Sequence, residues 1–114
     1  MKKIFYVLTA VSLMGSCTVQ KPLYTWDNYE VTSYNYVKNS DEKSTQALIE
    51  TYRKIIEYQK GSRGVVPPGV YADYGFVLLQ KDKTEEGRAM LLKEVNLYPE
   101  SKTFIDRILK IIEK

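Results

Sequence analysis

The fold is decided by residues 65–101, VVPPGVYADYGFVLLQKDKTEEGRAMLLKEVNLYPES, running from Val65 to Ser101. This stretch reads as two helices joined by a short polar turn, with prolines marking both ends. The first helix is predicted over Gly69–Lys81. Tyr71, Tyr74 and Leu78 form one apolar stripe at helical spacing, and Ala72, Phe76 and Leu79 form a second beside it. Only Asp73, Gln80 and Lys81 read as wet. A helix apolar around most of its circumference is normally buried on both sides, so other elements are expected to pack around it.

Downstream, the turn Lys81–Thr84 leads into a second helix, and Asp82 with Glu85 has capping-box spacing. Met90, Leu91 and Val95 give that helix its apolar face, and Gly87 lets another helix come close. Glu94 falls on the same face. A buried carboxylate must be hydrogen-bonded or neutralised, for which a tyrosine hydroxyl would suffice; the favoured expectation is that Glu94 reaches solvent at the helix edge. Pro99 ends the helix, and Ser101 is positioned to cap a last one with the stripe Phe104, Ile105, Ile108, Leu109 and Ile112. Asp106 and Lys110 are expected to pair on its wet side.

Upstream, a helix is predicted over Asp41–Lys60. Leu48, Tyr52, Ile55 and Ile56 lie on one face, Glu50 and Lys54 form an i,i+4 pair on the other, and Gly61 stands where a helix C-terminal glycine belongs. Before it, LYTWDNYEVTSYNYV (Leu23–Val37) places Trp26, Tyr29, Ser33 and Tyr36 or Val37 at helical spacing. Its β-branched and aromatic content also permits a strand.

The central hairpin matches the tetratricopeptide pattern, a helix–turn–helix repeat written W-x2-L-G-x2-Y…A-x3-F…P. With the last proline set on Pro99, Tyr71 takes the tryptophan place, Tyr74 the leucine, Gly75 the glycine and Leu78 the tyrosine. Gly87 takes the alanine place and Leu91 the phenylalanine. The size classes agree without a gap: small residues where two helices cross, large ones in the neighbouring holes. Trp26-x2-Tyr29 offers a weaker start for an earlier repeat. The expected fold is therefore all-α, a short tetratricopeptide-like stack of two helical hairpins closed by a C-terminal capping helix.

The N-terminus reads differently. MKKIFYVLTAVSLMGSC has two lysines, an apolar run from Ile4 to about Met14, and a small-residue exit before Cys17. That is a secretory signal pattern, and its apolar run is shorter than the ~20 residues needed to cross a bilayer. Gly15-Ser16-Cys17 resembles the lipobox of bacterial lipoproteins, with Met14 in place of the usual leucine. The resemblance implies cleavage between Ser16 and Cys17 and acylation of Cys17. The expected organisation is a leader at 1–16, lipidated cysteine and tether at 17–25, and the helical domain at 26–114. Thr18 is not the aspartate that retains lipoproteins in the inner membrane, and no acidic cluster follows Cys17. The expectation is a lipid anchor in the outer membrane, with the domain facing the periplasm. The tether Thr18–Thr25 spans at most about 30 Å.

Composition narrows the chemistry. The chain has 114 residues, 44% hydrophobic and 27% charged, which suits one small globular domain. Its net charge of +3 includes Lys2 and Lys3, too little for a nucleic-acid binder that works by neutralising phosphates. It contains no histidine and only one cysteine, so neither a common general base nor a thiolate metal cluster is on offer. No cofactor, metal or catalytic activity is expected.

Tyr24-x-Trp26-x2-Tyr29, Val66-Pro67-Pro68-Gly69-x2-Ala72 and Pro99-Glu100-Ser101 occur in that order. With them the chain resembles a family of small bacterial lipoproteins that carries a domain-of-unknown-function label and is regarded as tetratricopeptide-like. The resemblance implies genes often set beside a lipoprotein similar to the curli-secretion pore protein, and so an envelope assembly. It implies no catalytic residues. The leading expectation is a protein–protein adaptor whose groove is lined by Ala72, Phe76 and Leu79, covered by the last helix or by an envelope partner. The alternative, prompted by ten tyrosines and Trp26, is a small-ligand or glycan-binding lipoprotein.

Overall fold

A computed structural model describes residues 21–113. The leader, Ser16 and Cys17 lie outside the described residues. The chain forms helices α1 (Tyr29–Asn39), α2 (Glu42–Glu57), α3 (Val70–Gln80) and α4 (Thr84–Leu97). A 3-10 turn at Pro99–Ser101 leads into α5 (Lys102–Ile112). The described residues form an all-α stack: α1 packs on α2, α3 on α4, and α5 against α4. The strand permitted for the aromatic segment does not form. Tyr29 and Tyr36, at helical spacing, pack against the core from α1.

The middle of the stack is built by glycine. A Cβ placed on Gly75 would lie 2.8 Å from the Gly87 carbonyl oxygen, and one on Gly87 would lie 2.8 Å from the Gly75 oxygen. The two backbones therefore touch at the crossing of α3 and α4, as the small residues at both positions predict. Around that point Tyr74 and Leu78 are buried, Leu91 is fully buried, and α2 contributes Leu48, Ile49, Tyr52 and Ile55. Tyr71 is half-buried, with the Lys93 ammonium 5.8 Å from its ring centre. Pro99 is exposed and opens the 3-10 turn beyond α4.

Asp41, just before the first residue of α2, caps it: Ser44 N–H donates to Asp41 Oδ1 at 2.8 Å, and Asp41 N–H donates to Ser44 Oγ at 3.2 Å. Other local readings are corrected. Asp82 adopts a left-handed conformation (φ 61°) in the turn, so α4 starts at Thr84 with no side-chain cap. Ser101 Oγ donates backwards to the Tyr98 carbonyl and caps nothing. Asp106 pairs with Lys102 at 2.6 Å rather than with Lys110. Glu50 and Lys54 form no ion pair among those of the described residues. On α5, Ile105 is fully buried, whereas Phe104, expected in the same stripe, turns outward.

Gly61 is not the end of α2, which stops at Glu57. Its role is close approach: a Cβ there would fall 2.2 Å from the Leu23 oxygen. The segment from Pro22 to Thr25, read as tether, is instead strapped to the domain. Ser62 N–H donates to Pro22 O and Arg63 N–H to Leu23 O, at 3.0 and 3.2 Å. Thr25 exchanges two hydrogen bonds with the Gln59 amide, at 2.6 and 3.0 Å. Among the described residues the folded domain thus reaches back to Pro22.

Glu94 also departs from expectation. It is 3% exposed, and its Oε1 accepts from Gly69 N–H at 2.7 Å. Gly69 holds φ 92° at the N-cap of α3, whose start has no side-chain cap of its own. A carboxylate from α4 therefore closes the N-terminus of α3, where helix dipole and free N–H groups favour negative charge. Glu94 Oε2 has no hydrogen-bond partner.

Candidate functional site

Helices α1, α3 and α5 are the first helices of successive hairpin-sized units, and two clefts lie between their neighbouring faces. The first has a volume of about 230 Å³. Its walls are Tyr29, Ser33, Tyr36 and Val37 of α1 and Asp73, Phe76, Val77 and Gln80 of α3, with Leu48 and Tyr52 of α2 also lining it. The second, about 240 Å³, lies between Phe76, Leu79 and Gln80 of α3 and Ile108, Ile111 and Ile112 of α5. Phe76 and Gln80 line both clefts, so the two form one band crossing α3.

The band is polar at one end and hydrocarbon at the other. Tyr29 Oη donates to Asp73 Oδ2 at 3.2 Å, and Tyr36 Oη donates to Gln80 Oε1. Burial raises the Asp73 carboxyl above its ordinary range, against the opposing pull of the Tyr29 hydroxyl. The residue as a whole is exposed, but its carboxyl faces Tyr29 within the cleft. Burial also raises the Tyr29 and Tyr52 hydroxyls, with Asp73 adding to both, so these tyrosines remain neutral donors around pH 7. The Trp26, Tyr29, Tyr52 and Tyr74 rings follow one another at 5.5, 5.9 and 5.5 Å, which ties the α1 wall to the core. At the other end, Phe76 is 45% and Ile111 73% exposed.

Of the predicted groove, the structure brings Phe76 and Leu79 together. Ala72 is half-buried and lines neither cleft. The last helix partly answers the question of cover: Ile108 and Ile112 border Leu79, which is half-buried, while Phe76 stays open. Sequence reasoning passed over Tyr29, Tyr36, Asp73, Gln80 and Ile111. The signal available for them was the alternation of first and second helices, which puts one face of each first helix on a common surface.

Among the described residues no group of three or more His, Cys, Asp or Glu side chains is arranged to hold a metal ion, and no helix is long and apolar enough to cross a membrane. The band can accept a ligand with an apolar part against Phe76 and Ile111 and hydrogen-bonding groups towards Asp73 and Gln80.

Comparison with curated proteins and with solved structures gives no match. A family model does match, over residues 23–108, from the strap through most of α5. The chain belongs to that family, described as a domain of unknown function, DUF4810.

Proposed function

We propose that this protein is a lipid-anchored adaptor of the bacterial envelope that holds a segment of a partner protein in the band across α3. In this reading Cys17 carries the acyl chains, the outer membrane is the site of anchorage, and the domain faces the periplasm. The stack is a tetratricopeptide-like one, supported by the Gly75–Gly87 crossing in the register that pattern requires. The observation that carries the proposal is Phe76. It stands 45% exposed on a helix whose Tyr74, Val77 and Leu78 are buried, at the point where the two clefts join. A large apolar side chain left open in a concave site is the kind of anchor around which interface energy concentrates. The partner segment is expected to be an apolar one with free backbone or amide groups at one end. A curli-secretion-pore-like lipoprotein is the first candidate partner, on the resemblance alone.

Phe76→Asp tests the reading. Because nearly half the side chain already meets water, the variant is expected to fold with a loss of about 1 kcal/mol or less. A photo-cross-linking residue at position 76 in the native envelope should give one discrete adduct, which an Asp73→Ala change weakens. Unfolding of Phe76→Asp would make the side chain core and end the proposal. Absence of any adduct from a folded protein carrying the cross-linking residue at position 76 would do the same.

A second reading, a small ligand or glycan, draws on Tyr29, Tyr36, Asp73 and Gln80 sharing the polar end. Trp26 lies 5.5 Å from Tyr29, so its emission reports on that end. Peptidoglycan fragments that change Trp26 fluorescence in wild type but not in Tyr29→Phe would favour it; an unchanged spectrum removes it.

A further inference from the structure

A different exposed surface lies at the end of the molecule that leads to Cys17. The strap carries Leu23, 57% exposed, and Trp26, 42% exposed. Lys21 on the strap, and Lys60 and Arg63 on the segment it is bonded to, are all exposed. Asp27 is the one acidic side chain within residues 21–28 and 58–65. Backbone hydrogen bonds lock these pieces together: Arg63 N–H to Leu23 O, and Lys60 N–H to Thr25 Oγ1 at 3.1 Å. The Arg63 guanidinium sits 6.0 Å from the Tyr24 ring centre. Exposed leucine and indole on a segment that also carries exposed cations are what a bilayer interface selects, with apolar groups at headgroup level and Lys or Arg on anionic phosphates.

With Cys17 acylated, covalent geometry limits what can cover this surface. From Cys17 to Pro22 the chain can span at most about 18 Å. Acyl chains on Cys17 would therefore hold the strap, rather than the C-terminal end of the stack, at the bilayer. We propose that the strap, with Lys21, Leu23, Trp26, Lys60 and Arg63, binds anionic lipid headgroups and seats the domain on the membrane in one orientation. The proposal rests on the reading of Cys17 as acylated. The seat turns a short leash into a fixed pose, so that a groove elsewhere on the domain meets its partner at a set height.

Trp26 is the only tryptophan, which makes the test direct. The full chain purified from membranes is reconstituted in phosphatidylglycerol vesicles with or without bromines on the acyl chains. Trp26 emission should fall by about half in the brominated vesicles, the depth expected of an interfacial indole. The Lys60→Glu/Arg63→Glu variant should stay anchored, unfold at the same urea concentration, and lose the quenching. Leu23→Ser, which keeps the backbone hydrogen bonds, should lose part of it. Equal emission in both vesicles, with the mass of acylated Cys17 confirmed, overturns the seat and leaves the anchor intact. An unmodified Cys17 overturns the anchor; the same chain added to brominated vesicles then decides the surface alone, quenching supporting it and none ending it. Shielding of Trp26 from iodide in native membranes but not in protein-free vesicles would assign the surface to a protein, against the proposal.

Discussion

The α3–α4 hairpin and the two helices flanking it, α1 and α5, solve the same packing problem in opposite ways. In the hairpin, two glycines bring backbones into contact and Leu78 and Leu91 are buried to 1% and 0%. In the flanks, α1 buries no residue completely and α5 buries only Ile105. Instead α1 packs on α2 and reaches α3 through the half-buried Tyr29 and Tyr36, α5 packs on α4, and each leaves a cleft at its seam with α3. The tightest contact is thus the crossing of α3 and α4, and the band lies along the seams beside it, over the open face of α3. Interiors at native density tolerate neither extra atoms nor missing ones, whereas seams can adjust to a ligand.

The sharpest way to break this contrast is to add a side chain at the crossing. Gly75→Val or Gly87→Val places carbon 2.8 Å from a backbone oxygen of the other helix, so the helices must part. The expected loss is about 3 kcal/mol or more, a large share of the ~5–15 kcal/mol that holds a domain together. Val37→Ala on α1, where the side chain is largely in solvent, should change stability by less than about 0.5 kcal/mol. Urea unfolding measures both. Comparable losses at the two places would mean that the flanks are as integral as the hairpin.

Next in size is the remote cap. Glu94→Ala leaves Gly69 N–H without an acceptor and removes charge from the start of α3, at an expected cost of about 2 kcal/mol. Glu94→Gln keeps an acceptor and should lose less, although its amide would occupy the place where Oε2 now lacks a partner. A Glu94→Ala variant as stable as wild type would show that burying the carboxylate costs as much as the cap returns.

How far the sequence could be read follows the same division. The hairpin was legible because its constraint is local and steric: Gly75 and Gly87 sit at a fixed spacing from Tyr71 and Pro99, and only small residues fit a crossing. The Asp41 cap was legible in principle, because its partner, Ser44, lies three residues away. Glu94 was not, since its partner Gly69 is 25 residues distant and chosen by how two helices lie together. Gly61 misled for a related reason. Its place after a helix suggests a terminator, but its use is to admit the Leu23–Tyr24 backbone from another part of the chain. In the band, Phe76 and Leu79 followed from a stripe, whereas Ile111 and Tyr36 needed the placement of α5 and α1, which depends on long-range packing.

The smallest effect separates the cap of α2 from the cleft beside α3 by the sign of their response to acid. Hydrogen bonds from the Ser44 hydroxyl and backbone N–H lower the Asp41 carboxyl from its ordinary 3.8. A lowered carboxyl contributes stability that is complete above its unfolded value and lost as pH falls through the folded one. In the cleft, burial raises Asp73 from the same ordinary value. Its contribution has the opposite sign: ionised Asp73 costs stability at neutral pH, and that cost is relieved as pH falls through the raised value towards 3.8. Asp73→Asn keeps an oxygen acceptor for Tyr29, so it should be no less stable than wild type at pH 7 and lose its advantage by pH 3. Asp41→Ala should be less stable at pH 7, and the gap should narrow in acid. Melting temperatures of the three proteins from pH 7 to pH 3 decide the matter. If Asp73→Asn follows wild type in parallel at every pH, the cleft carboxyl is as well solvated as one on the open surface, and the polar end of the band is not the desolvated site that selective binding through Asp73 requires.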